Sequence, residues 1–240
     1  MPSALHHWHP LCTAEDGPPR LCTHGRKLIV NCTLPGVGGA ERVKVGNNGA
    51  WLLDETQPYL IDRGLVQGLV KFFGSANSTV VEFGAGQGCY SDALTIHGVA
   101  SQPFEGAANV RQITHGFVRM ADLTTHGLDT GVRADWVLCL EVAEHIPKQH
   151  EATFLANLDR HNSKGIVMSW SSMRSGVGHV NYQYEAYVTT AMRNLSYVED
   201  EPAGKELRAA VTTRRWFRST SNRHGVGGGV RVWRRLARAL

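Results

Sequence analysis

Residues 138–147, LCLEVAEHIP, place two carboxylates and an imidazole at the end of an apolar run. Val137, Leu138 and Leu140 are apolar and β-prone; Glu141, Glu144 and His145 follow, and Pro147 closes the segment. Proline disfavours helix at the residue before it, so the stretch reads as a strand running into a short turn. Positions i, i+3 and i+4 of one helical turn share a face, which is the spacing of Glu141, Glu144 and His145. Carboxylates that close repel and raise each other's pKa unless a cation sits between them. Three chemistries fit. Glu144 and His145 brace a loop through hydrogen bonds; His145 is a metal-free general base; or the group binds a divalent metal, since carboxylates with imidazole suit Mg2+, Mn2+ or Zn2+.

A second chemical stretch is VVEFGAGQG, residues 80–88. A buried strand runs into Gly84, Gly86 and Gly88, and a helical pattern follows. Glycines here permit positive φ and let a ligand approach the backbone. A dinucleotide fingerprint would put its third glycine at position 89, which is Cys89, and Glu82 adds an acid at the strand end. That combination suits a ligand without a pyrophosphate, such as S-adenosylmethionine with its amine, sulfonium and ribose diol. Glu105, 17 residues after Gly88, lies near the spacing of about 20 at which an acid accepts from a ribose diol. Asp122, in RMADLT, is placed to meet an adenine amino group, or to serve as a helix cap or turn residue.

These residues need a scaffold. The pattern predicts a helix from Pro58 to Gly74, with Ile61, Leu65, Leu69 and Phe72 or Phe73 on one apolar face. STVVEFG is a short, continuously apolar strand of the kind a parallel sheet needs. Further strands are expected at 99–104, 117–121, 135–140 and 165–170, and weaker ones at 196–199 and 229–233. Helices are expected at 89–97, 149–160 and 184–194. Alternating β and α segments predict a doubly wound α/β sheet of the Rossmann-like kind.

With these pieces the sequence resembles a class I S-adenosylmethionine-dependent methyltransferase over about residues 50–235. It is most similar to a methyltransferase-like group with a glycine motif and a following Tyr, then D-G-N-P, A-D-L, S-L-E-V-G-E-H-I-P, S-W-A and G-H-V-N. Here these read GQGCY, FEGAANV, MADLT, LCLEVAEHIP, VMSW and GVGHVN. Glu105 stands for the Asp of that pattern, and Ala107 for its Asn, which removes a polar contact. The resemblance implies a seven-stranded, mostly parallel sheet with a C-terminal antiparallel strand. It implies S-adenosylmethionine contacts at Glu82, Gly84, Gly86, Gly88, Tyr90, Glu105 and Asp122. E-x-x-E-H is also found in O-methyltransferases of ubiquinone synthesis and in enzymes that methylate the 3′-terminal 2′-hydroxyl of small RNAs. In the RNA enzymes a later histidine completes a metal site, and His179 in GVGHVN matches it. The likeness therefore implies Mg2+ or Mn2+ held by Glu141, Glu144, His145 and His179, with Glu141 and His145 catalytic.

Composition bounds the rest. The 240 residues, 42% hydrophobic, suit one α/β domain, residues 51–240 with a basic C-terminal tail, behind a loop-rich or poorly ordered extension at 1–50. No run of 18 apolar residues exists, so no membrane span is expected. The N-terminus lacks a basic start followed by an apolar stretch, so a secretory signal is not expected and a cytoplasmic location is. Five cysteines is an odd count, and with Cys89 and Cys139 in apparent core segments it favours a reducing interior. Cys12, Cys22 and Cys32 recur every ten residues but form no zinc-type pair. The net charge is +4, and residues 214–238 hold eight arginines, either a solvated surface or a patch facing phosphates. DPPY-type base-methylation motifs are absent, and Cys139 has no preceding proline, which demotes nucleobase substrates. The expected activity is methyl transfer to a hydroxyl, with an amine second, of a small molecule or glycan. The rivals are 2′-O-methylation of RNA through the arginines and a catalytically inactive cofactor-binding or partner-binding protein.

Overall fold

The apolar runs become the strands of one seven-stranded sheet. The structure is a computed structural model that describes residues 44–54, 61–218 and 228–237. Pro58, Arg223, Arg238 and the cysteines at 12, 22 and 32 lie outside the described residues. The strands are β1 (Val80–Phe83), β2 (Ser101–Glu105), β3 (Arg119–Met120), β4 (Ala134–Cys139), β5 (Asn162–Met168), β6 (Tyr197–Glu199) and β7 (Arg231–Arg235). Their order is β3-β2-β1-β4-β5-β7-β6. β1 to β5 pair in parallel, and β7 runs antiparallel to both of its neighbours. The Rossmann-like, mostly parallel sheet with a C-terminal antiparallel strand is therefore present as expected.

Among the described residues six helices cover the sheet: α1 (Arg63–Gly74), α2 (Cys89–Ile96), α3 (Val110–Ile113), α4 (Glu151–Arg160), α5 (Glu185–Asn194) and α6 (Glu201–Ala210). One apolar layer joins Phe83, Phe104, Phe154, Leu158 and Trp233. A second joins Leu65, Leu69, Phe73, Trp136 and Leu138. β1 and β4 thus carry buried residues on both faces, which is why their sequences read as unbroken apolar runs. Burying each such side chain contributes about 1.5–3 kcal/mol.

Some boundaries differ from the pattern-based expectation. α1 begins at Arg63 because the buried carboxylate of Asp62 accepts from the Leu65 amide and caps the helix. The strand expected at 117–121 shortens to Arg119–Met120 at the sheet edge. α6 was not expected, although Asp200 accepts from the Ala203 amide and Pro202 occupies its first turn. Residues 44–54 form a turn with a Val45–Trp51 bridge packed against the domain. Cys139 is a buried free thiol. Among the described residues no helix is long and apolar enough to cross a membrane.

The chain leaves β1 for β2 and β3 on one side, then returns to β4 on the other. The strand order therefore reverses between β1 and β4. In open α/β sheets the crevice outside the carboxyl ends of the strands at such a switch point is where ligands bind. Both chemical stretches of the sequence end there.

Candidate functional site

The turn after β1 is built on three left-handed glycines: Gly84 at φ 69°, Gly86 at φ 56° and Gly88 at φ 86°. Space as well as conformation demands two of them. A Cβ on Gly84 would lie 2.1 Å from Val142 Cγ2, and one on Gly88 would lie 2.6 Å from the Phe117 ring. The Gly84–Val142 contact seats the glycine turn directly against the acidic turn after β4.

Two residues expected as cofactor contacts also make bonds within the scaffold. Glu82 is buried, and its carboxylate accepts from the Ser91 amide (2.9 Å) and the Ser91 hydroxyl (2.5 Å), tying β1 to the start of α2. Burial outweighs those bonds and pushes its pKa up to about 7. The Tyr90 hydroxyl accepts from the Asp62 amide (3.0 Å), linking α2 to the cap of α1.

Glu105 ends β2 inside the cleft. Its carboxylate accepts from the Gly86 amide (2.8 Å) and the Ala107 amide (3.1 Å), so it spans the glycine turn and the loop after β2. Burial raises its pKa, and these amides offset part of that rise. Asp122 follows β3 and accepts from the Thr124 amide (2.8 Å) and hydroxyl (2.7 Å), which is a turn-forming role. Asp122 also lines an open cavity of about 370 Å³ with Gly106, Ala107, Met120, Asn48 and Leu52.

At the end of β4 the backbone turns sharply. Glu141 has φ 56°, a left-handed value for a side chain that gains nothing from it locally. Ser169, just past β5, holds it there: the serine hydroxyl accepts from the Glu141 amide and donates to the Glu141 carboxylate, both at 2.8 Å. Burial pushes the Glu141 pKa up to about 7. One 3-10 turn, Ala143–His145, then carries Glu144 and His145.

Glu144 is 0% exposed, and neither of its carboxylate oxygens has a hydrogen-bond partner. Burial first and the Glu141 charge second push its pKa well above the usual carboxylate range, and the nearby amides of Glu144 and Ser171 offset only part. Buried carboxylates are normally satisfied by donors or by a cation. Glu144, His145 and His179 can bring one ligand atom each to within 4.8 Å of one another. The His145 Nδ1 lies 3.1 Å from the Gly178 carbonyl, and the His179 Nδ1 lies 2.6 Å from the Met173 carbonyl. A carbonyl only accepts, so each ring donates from Nδ1, which leaves Nε2 as the position for a ligand. Metal-binding histidines are oriented in this way. Burial, together with the His179 imidazole, lowers the His145 pKa to about 4 and keeps its ring neutral. A buried carboxyl without a partner beside two imidazole nitrogens fits a divalent cation, whose charge would favour the ionised carboxylate. Glu141, expected as a fourth ligand, lies outside this group and is engaged with Ser169.

No protein-family model matches the chain, and no curated protein matches it. Solved structures do. A magnesium protoporphyrin IX methyltransferase from Synechocystis PCC 6803 with bound SAH aligns at TM-score 0.50 and 16% identity, over 71% of this chain and 82% of that one. A SAM-bound amino pentose methyltransferase from Micromonospora echinaspora aligns at TM-score 0.50 and 14% identity, over 71% and 90%. The chain has the class I methyltransferase fold.

Within this methyltransferase fold the two motifs singled out by sequence meet at one cleft, and several partners of theirs went unnoticed. Ser169 lies in VMSW, and its bond to Glu141 joins β5 to the turn after β4. Asn181 lies in GVGHVN, two residues after His179. The Val180 and Asn181 amides donate to the Glu144 carbonyl at 2.9 Å, and the Asn181 side chain donates to Glu151 at 2.8 Å. These bonds hold the His179 loop against the Glu144 turn. Trp51, whose ring meets His145 edge-on at 5.2 Å, carried no signal at all.

Proposed function

We propose that the protein transfers a methyl group from S-adenosylmethionine to a hydroxyl, with an amine second, of a small molecule or glycan, with a divalent cation held by Glu144, His145 and His179. The observation that carries this reading is the fully buried, unpartnered Glu144 carboxylate beside two histidines, one turn from the glycine loop. The methyltransferase fold supports the cofactor, and both aligned enzymes have SAH or SAM bound.

In this reading the glycine turn and Glu105 bind the cofactor. Glu105 trades its Gly86 contact for the ribose hydroxyls, and the cavity beside Asp122 takes the adenine. The methyl group then points toward the turn after β4. In-line displacement needs the acceptor oxygen about 3–3.5 Å from the methyl carbon. Glu144, His145 and His179 would hold the cation, which would supply Lewis acidity beside the acceptor oxygen. A bound divalent cation lowers the pKa of an acceptor hydroxyl. Glu141, fixed by Ser169 beside this group, is the nearest carboxylate to receive the released proton.

Three arginines of the basic segment are paired within the domain. Arg231 pairs with Glu199, Arg234 with Asp200, and Arg235 with Asp159, so the arginines of β7 serve the sheet edge. A small-molecule or glycan acceptor agrees better with that pairing.

The test is methyl transfer from radiolabelled S-adenosylmethionine to pooled small-molecule and glycan acceptors, before and after dialysis against chelator. Activity should fall on chelation and return with Mg2+ or Mn2+. Activity that resists chelation, needs His145 and survives His179→Ala would instead support a metal-free general base. Transfer to RNA with a steep salt dependence would support the RNA reading.

A further inference from the structure

The cavity beside Asp122 has two walls. One comes from the expected methyltransferase loops: Gly106, Ala107 and Ala108 after β2, and Met120, Asp122 and Thr124 at β3. The other comes from residues 44–54, which no motif marked: Gly46, Asn47, Asn48, Ala50 and Leu52 line it. About 370 Å³ lies between them, within the range of small-ligand sites.

Residues 44–54 make a self-contained turn. The Gly46 amide donates to the Ala50 carbonyl (2.8 Å) and the Leu52 amide to the Lys44 carbonyl (2.8 Å). The turn is tied to the domain by three side chains. Asn109 pairs with the Leu53 backbone in both directions, accepting from its amide at 3.0 Å and donating to its carbonyl at 2.7 Å. Gln87, inside the glycine turn, donates to the Asp54 carbonyl (3.1 Å). Asn48 donates to the Gly106 carbonyl (3.1 Å). Its apolar anchorage is thin: Leu53 packs on a small cluster of Ala85, Ala107, Val110 and Val118, while Leu52 is 40% exposed and Val45 45% exposed. Segments held by a few polar bonds and little apolar burial open at low free energy.

We propose that residues 44–54 are a strap that forms the outer wall of the adenine subsite, with Asn109 and Gln87 as its latch. Leu52 and Ala50 cover one side of the purine, Met120 and Ala107 line the other, and Asn47, Asn48 and Asp122 offer groups for its polar edge. Both latch residues sit on the loops that meet the cofactor, so closing the strap and filling the site favour each other. The strap also touches the candidate chemical centre. A Cβ on Gly49 would lie 2.0 Å from the His145 carbonyl oxygen, and Trp51 packs edge-on to the His145 ring. This proposal rests on S-adenosylmethionine being the cofactor, and the test separates the two ideas.

The probes are S-adenosylhomocysteine and 5′-methylthioadenosine, which lacks the amino-acid end, titrated calorimetrically into the full chain. Asn109 caps α3 without using its side chain on the helix, so Asn109→Ala should leave that helix intact. Asn109→Ala removes two hydrogen bonds from the latch and should weaken both probes by roughly 10-fold, chiefly through faster dissociation. Leu52→Ala, at a partly exposed position, should weaken both probes by a similar factor. Hydrogen exchange of amides 44–54 should slow when S-adenosylhomocysteine binds the wild-type chain. Unchanged affinities in both variants, or a loss seen with S-adenosylhomocysteine alone, would overturn the strap. A wild-type chain that binds neither probe would overturn the cofactor reading and the strap with it.

Discussion

Replacing Glu144 by Gln keeps the shape of a fully buried side chain and removes the charge that a hard cation requires. Glu144→Gln should lower metal-dependent methyl transfer by on the order of 100-fold and leave S-adenosylhomocysteine affinity within experimental error of wild type. Equal loss of both would mean that Glu144 shapes the cleft rather than holding a ligand. His179→Ala should raise the Mg2+ or Mn2+ concentration that gives half-maximal activity by roughly 10-fold or more; an unchanged metal titration would remove His179 from the site. At the other end of the cleft, Glu105→Gln should weaken S-adenosylhomocysteine by about 10- to 100-fold, the worth of a charge-assisted hydrogen bond. Because Glu105 also accepts from the Gly86 and Ala107 amides, thermal denaturation should be followed in the same variant. A lower melting point with unchanged affinity would make Glu105 a brace for the turn. Gly86, at φ 56°, tolerates no β-branched side chain, so Gly86→Val should abolish binding.

Elements are placed here by a few buried polar groups as much as by apolar faces. Asp62 is the clearest case. It caps α1 and also accepts from the amides of Thr212, Thr213 and Arg214, fastening the loop after α6 to the start of α1. Burial alone would raise its pKa, but the Arg214, Thr212, Leu65 and Thr213 amides outweigh it and hold the carboxyl far below its usual 3.8. A depressed folded-state pKa contributes stability above the unfolded pKa and loses it as pH falls. Asp62→Asn should therefore destabilise the neutral protein by roughly 2–4 kcal/mol, and the gap from wild type should shrink below about pH 4. Urea unfolding of both chains at pH 7 and pH 3.5 checks this; a constant gap would assign the loss to geometry rather than charge.

Among the described residues, the carboxyls of Glu82, Glu105, Glu141 and Glu144 gather around the switch point, and burial raises the pKa of each. Burial pushes the Glu82 carboxyl from 4.5 up to about 7 and raises Glu105 as well. A raised folded-state pKa works in the opposite sense to Asp62: the folded chain holds the proton more tightly, so stability is fullest below pH 4.5 and is lost as pH rises toward 7. The ligand-free protein should thus be more stable at pH 5.5 than at pH 8. The Glu82 share over the full window is on the order of 3 kcal/mol. Glu82→Gln should flatten the profile, since an amide at that position does not titrate. Equal urea midpoints for the wild-type chain at the two pH values would contradict the buried, raised carboxylates.

How much of this was legible depended on whether a residue's role is local. Strand runs buried on both faces, the E-x-G-x-G-x-G turn and the i, i+3, i+4 spacing of Glu141, Glu144 and His145 are properties of short stretches. They led directly to a doubly wound sheet and to the residues at its switch point. α6 is equally local, carried by the Asp200 cap and by Pro202 in its first turn. Tertiary structure alone decided the partners. Ser169 reaches Glu141, Asn181 holds the His179 loop to the Glu144 turn, and the strap reaches Asn109 and Gln87, each across tens of residues of chain. It also decided which acids stay available. Glu82 turns to Ser91, Glu141 to Ser169, and Glu144 is left without a donor. The sequence shows that these three carboxyls converge, but which of them finds a partner depends on neighbouring strands and loops that no local pattern encodes.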